Sequence, residues 1–157
     1  MITGIRSAIL CDTVERGADG RVNYIGLWTD PLLADSRPGL LNLNIALQVT
    51  VDERRSAGHL SIETDGFELA LAFGIPAGCK SMELSSPFII PVLKDGLLTV
   101  CVFDDESRGE PFRASWSLGF LPDAETLGEE AAEEFVAAAR RAAVMLAEGS
   151  AARTSKH

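Results

Sequence analysis

The chain has 157 residues, 46% of them apolar, which fits one folded domain with a single core and excludes a disordered polymer. Its formal net charge of -9 and pI near 4.7 offer little to phosphates or to anionic lipid. The only adjacent basic pairs are Arg54–Arg55 and Arg140–Arg141, so neither a nucleic-acid nor a membrane partner is expected.

Residues 5–14 read as a first strand, carrying Ile5, Ile9 and Cys11. The turn Arg16-Gly17-Ala18-Asp19-Gly20 follows, because glycine tolerates positive φ and aspartate hydrogen-bonds locally. Val22 to Trp28 is a second strand, which pairs with the first as a hairpin or faces it across a sandwich. Thr29 to Gly39 holds two prolines and two aspartates and is expected to be a loop. Leu40 to Val51 alternates cleanly: Leu41, Leu43, Ile45, Leu47, Val49 and Val51 against Asn42, Asn44, Gln48 and Thr50. That period of two predicts a long strand with one face in the core.

After the polar turn at residues 52–58, His59 to Thr64 and Phe67 to Phe73 flank Asp65-Gly66, a pair favoured in tight hairpins. Gly74 to Ser86 reads as irregular. Phe88 to Leu93 is placed near an edge or a bend, since Pro87 and Pro91 lack a donor. Leu97 to Phe103 is nearly all apolar and reads as a central strand. Asp104 to Glu110 is a charged hairpin loop, and Phe112 to Phe120 is the last strand. The expectation is mainly β: an antiparallel β-sandwich of about eight strands, with no crossover helix between them.

From Pro122 the period changes. Thr126-Leu127-Gly128-Glu129 matches a capping box. Leu127, Ala131, Phe135, Ala138, Ala142 and Leu146 then recur three or four apart, predicting one C-terminal amphipathic helix. Acids in its first turns and Arg140–Arg141 later suit the helix dipole. Residues 1–148 are expected to form a single domain including this helix, and 149–157 a disordered tail. The stripe of Leu127, Phe135 and Leu146 covers either the sandwich itself or a second copy.

The opening lacks the basic and apolar regions of a signal peptide, and no run reaches the eighteen or so apolar residues of a span, so the expected location is the cytoplasm. Cys11, Cys79 and Cys101 are odd in number and widely spaced, with no zinc pattern. Cys11 and Cys101 lie in apolar strands and read as buried thiols. Cys79 follows Pro76-Ala77-Gly78 and is expected to be more exposed.

The sequence Ala8-Ile9-Leu10-Cys11-Asp12, a glycine turn, and then Asn23-Tyr24-Ile25-Gly26-Leu27-Trp28 resembles a family of small uncharacterised proteins of bacteria and their phages. The proline loop at Asp30 to Pro38, the long strand after it and the Asp65-Gly66 hairpin extend the likeness over residues 4–120. The resemblance implies a β-sandwich with no established activity and transfers no catalytic residue. The segment after Pro122 departs from the shorter members.

Asp12 is an acid in an apolar strand. It is expected to be buried and paired, with Arg6 or Arg113 or with backbone donors. Trp28 is expected partly exposed at a loop rim, where amphipathic aromatics mark contacts. Asp104-Asp105-Glu106 supplies too few oxygens for calcium unless Asp30, Asp35 or Asp52 join it. No metal, cofactor or catalytic motif is present, and no cofactor is expected. The reading is a non-enzymatic structural or protein-interaction module, self-associating or phage-associated. The alternatives are a small-ligand or calcium-binding sandwich, and a hydrolase-like enzyme assembled from His59, Asp12, Cys79 and Ser61.

Overall fold

A computed structural model describes residues 1–52, 54–107 and 109–154, with side chains as far as residue 147. Nine strands precede one helix: β1 (Ile2–Arg16), β2 (Val22–Leu27), β3 (Leu32–Arg37), β4 (Gly39–Val51), β5 (Ser56–Thr64), β6 (Phe67–Ile75), β7 (Ser81–Val92), β8 (Gly96–Asp104), β9 (Phe112–Thr126) and α1 (Glu129–Thr154). They form a four-stranded sheet in the order β2-β1-β4-β7 and a five-stranded sheet in the order β3-β9-β8-β5-β6. The two sheets pack as a β-sandwich.

The alternation of β4 explains its position. Its odd-numbered residues from Leu41 to Val51 are buried in the core, while Asn42 is exposed. They meet Leu60 and Ile62 of β5 and Leu98, Val100 and Val102 of β8 in one apolar cluster. β8 lies inside its sheet, as its unbroken apolar run predicts. β7 carries Pro87 and Pro91 and lies at an edge, where a missing donor costs no ladder bond. β1 and β2 form a hairpin, and Gly66 closes the β5–β6 hairpin at a φ of 89°.

Four expectations are corrected. Residues 29–39 are not all loop: Leu32–Arg37 is strand β3, with Leu32 and Ala34 in the core. Pro31 and Pro38, both after cis peptide bonds, flank this strand without interrupting it. β3 pairs with β9 in parallel, so the sandwich has nine strands and is not wholly antiparallel. β9 does not stop at Phe120. It continues through Pro122 to Thr126, which pairs with Arg37. Most of the segment from Gly74 to Ser86, read as irregular, is strand, since β7 begins at Ser81.

The helix therefore starts at Glu129, and Thr126 is a strand residue whose place in the ladder removes it as a cap. Leu127 lies before the helix, half-buried, its N–H donating to the Arg37 carbonyl at 2.7 Å. Helical backbone continues to Thr154, past Gly149, where a tail was expected, and residues 155–157 lie outside the described residues. α1 packs on β7, β6 and β4 of its own chain. β6 and β7 are the edges of the two sheets, so the helix covers that open side of the sandwich. Ala139 is its one buried side chain among the described residues, with Phe135 and Leu146 half-buried. Val144 and Met145 remain exposed.

Candidate functional site

The first β-hairpin carries a local knot built on Asp12. In this hairpin Cys11 pairs with Leu27 and Thr13 with Ile25, which sets Asp12 opposite Gly26. Asp12 is exposed, not buried, and its partner is neither Arg6 nor Arg113. Its Oδ1 accepts the Trp28 indole N–H at 2.9 Å, while its carbonyl accepts the Asn44 amide at 2.7 Å. The pairing of β1 with β4 ends at Cys11–Asn44, so the Asn44 side chain takes over where the ladder stops. Trp28 is half-buried against the core, and its backbone N–H donates to the Leu10 carbonyl at 2.9 Å. The two residues singled out in the sequence are thus one unit.

Gly26 makes that unit sterically feasible. Its φ is +70°, and a Cβ there would lie 2.3 Å from the Asp12 carboxylate. The Asp12 side chain occupies the space that any larger residue would need.

A second polar cluster lies on the other sheet. His59 stacks on Phe103 at 4.5 Å, and its Nδ1 is 3.0 Å from Asp105. Ser61, two residues along the same strand, donates to Glu63 at 3.0 Å. His59 and Ser61 share β5, but Asp12 belongs to the other sheet and Cys79 to the β6–β7 connection. The four residues considered for a hydrolase are not assembled. Burial raises the thiol pKa of Cys11, with the Asp12 charge adding to it, and burial also raises that of Cys101. A raised pKa leaves both as weak nucleophiles. Cys79 is half-buried.

The acidic loop residues are occupied by the fold. Asp104 accepts the Ile2 N–H at 2.5 Å and the Glu106 N–H at 2.9 Å, tying the start of β1 to the end of β8. Asp30 accepts the Ser117 N–H at 2.6 Å. Asp52 bonds to the Arg54 guanidinium and to the amino terminus, which together hold it well below the usual carboxylate range. Among the described residues no three acidic, histidine or cysteine side chains converge as a metal site would require.

Partial burial alone would raise Asp104, but the N–H donors of Ile2 and Glu106 and the positive amino terminus outweigh it and lower its pKa. A carboxylate whose folded pKa lies below the usual 3.8 stabilises the fold above that pH and loses this contribution as pH falls through its folded value. Melting temperature is therefore expected to drop on acidification below pH 3.8, and Asp104→Asn to make that drop shallower. Melting curves for both proteins across this window check it, and superimposable acid limbs would refute it.

Two clefts flank the C-terminal half of the helix. One, of about 530 Å³, opens between β6 and β7, with Ile45 and Leu60 among its lining residues. The other, of about 410 Å³, is lined by Asp12, Asn42, Asn44, Ile89 and Met145, among others. Phe88 and Leu146 line both. The sequence places Leu146 on the packing stripe, but gives no sign that it lines two openings.

No family model matches the chain, and no curated protein is similar to it. Among the described residues no helix is long and apolar enough to cross a membrane.

Proposed function

We propose that this protein is a non-enzymatic interaction module that self-associates through β2. The observation that carries this reading is the state of that strand. β2 is an edge, hydrogen-bonded on one side only, and it exposes Leu27 and Ile25 at 62% and 46%. Exposed apolar side chains on an open edge are a template for another strand. The helix covers the opposite side of the sandwich, so it leaves this edge free. Gly26, at a positive φ, lies between the exposed Ile25 and Leu27, and the half-buried Trp28 follows at the end of the strand.

The partner in this reading is a second copy of the chain, which would present the same exposed edge. The cytoplasm suits the three free thiols, and a net charge of -9 disfavours nucleic acid. Light scattering coupled to size exclusion is expected to show a concentration-dependent dimer. Leu27→Lys, which places a charge on the edge, should convert it to monomer and remove the concentration dependence of the melting temperature, leaving it at the value of dilute wild-type protein. A wild-type protein that stays monomeric at every concentration refutes the reading.

A further inference from the structure

We propose that the outer part of the β1–β2 hairpin, residues 13–25, is a hinged flap closed over the outer face of the four-stranded sheet, and that its opening uncovers the Cys11 thiol. The register fixes the fold-back. Ser7 pairs with Gln48, and Gln48 with Glu83, so these three residues stand level in a row across β1, β4 and β7. Arg16 lies nine residues beyond Ser7, which is about 30 Å along an extended strand. Its guanidinium nevertheless donates to both Glu83 carboxylate oxygens, at 3.0 and 3.2 Å, and to the Ser85 hydroxyl at 3.2 Å. Only a strand that turns back across the sheet meets that row again. The turn falls after Cys11, where β1 stops pairing with β4, and beside it β2 has Gly26 at positive φ.

Burial identifies the covered face. Odd-numbered residues of β4 fill the core, so Asn44 and Ala46 point away from the second sheet, and Cys11 pairs with Asn44. Cys11 and Ala46 are nevertheless only 0% and 2% exposed, and neither belongs to the apolar cluster between the sheets. The hairpin is two-sided in the matching sense: Val14, Val22 and Tyr24 are half-buried, while Thr13, Glu15, Asn23 and Ile25 are exposed. Tyr24 lies near Glu83, Arg16 and Cys11, whose charges act on its phenol, although burial is the largest influence and raises its pKa.

Little holds the flap down. Among the described residues no backbone ladder joins it to β4 beyond Cys11. It rests on three half-buried side chains and on an ion pair whose arginine is 57% exposed. A segment held this way opens at lower cost than the whole fold. The Asp12–Trp28 hydrogen bond keeps the hinge with the sandwich when the flap lifts. The flap belongs to a single chain and needs no second copy.

Alkylation by N-ethylmaleimide, followed for each cysteine by peptide mass, reads the opening. Cys101 is the internal control, since it is as buried as Cys11 but lies on a central strand of the other sheet. Cys11 is expected to react at least about tenfold faster than Cys101. Arg16→Glu should speed Cys11 by about fivefold, the scale of one exposed ion pair lost, and leave Cys101 unchanged. Adding Glu83→Arg restores the pair with its charges exchanged and should return Cys11 to the wild-type rate. The proposal is overturned by equal rates for Cys11 and Cys101 in the wild type. It is also overturned if Arg16→Glu leaves the Cys11 rate unchanged or speeds Cys101 equally, or if the double variant reacts no more slowly than Arg16→Glu.

Discussion

Gly26→Ala is expected to destabilise the protein by about 2–4 kcal/mol, the sum of two separable costs. The first is conformational. At a φ of +70° an L-residue pays roughly 1–2 kcal/mol, because its Cβ crowds the carbonyl. The second is the neighbour. The new Cβ would stand 2.3 Å from Asp12 Oδ2 and 2.8 Å from its Cγ, so the carboxylate must swing away and release the Trp28 indole. A hydrogen bond to a charged group contributes about 1.5–3 kcal/mol, and its exposure here places it near the lower end. Urea denaturation of Gly26→Ala, Asp12→Ala and the double variant separates the two. Removing Asp12 relieves the clash but not the φ, so the double variant should lose less than the sum of the single losses. Strict additivity would mean that the two residues do not share that space.

Ala139→Lys should cost about 3 kcal/mol or undock the helix outright. Ala139 is 1% exposed, on a helix whose packing face is otherwise made of half-buried alanines, Phe135, Val136 and Leu146. Small residues let α1 lie close to β7, and that closeness leaves no room for four methylenes and an ammonium. Met145→Lys is the control: it lies two turns along the same helix at 72% exposure and should change stability by less than about 0.5 kcal/mol. Urea denaturation and amide exchange along β6 and β7 read the two effects. Equal stability of the two variants would contradict docking through this face.

What was legible in the sequence had a local cause. β4 announced itself because one face of a strand is a period of two, and Asp65-Gly66 because a tight turn needs positive φ at one residue. The edge position of β7 followed from proline chemistry. The helix was legible as a stripe, but its first residue was not. Thr126 looks like a cap in isolation, yet its backbone pairs with Arg37, far away in the sequence and in no pattern that spacing reveals. β3 was hidden for the same reason. Two prolines and Asp35 give it a loop's composition, and only its parallel neighbour makes it a strand. Asp12 was singled out for its setting, but its exposure and its indole partner depend on where β1 parts from β4. The two clefts depend on how the helix meets both sheets, which no single segment encodes.

The pairing of β3 with β9 has a kinetic consequence. β3 has no other neighbour in its sheet, and its partner residues are Leu118 to Thr126. During synthesis, the β1–β2 hairpin can close at once, but β3 must wait until almost the whole sandwich has been made. Long-range and parallel pairings of this kind fold slowly, because a large loop must close before any contact repays it. Until β9 arrives, Leu32 and Ala34, both buried in the finished protein, lie on an uncovered strand. The nascent chain is therefore most open to misassociation just before its last strand emerges.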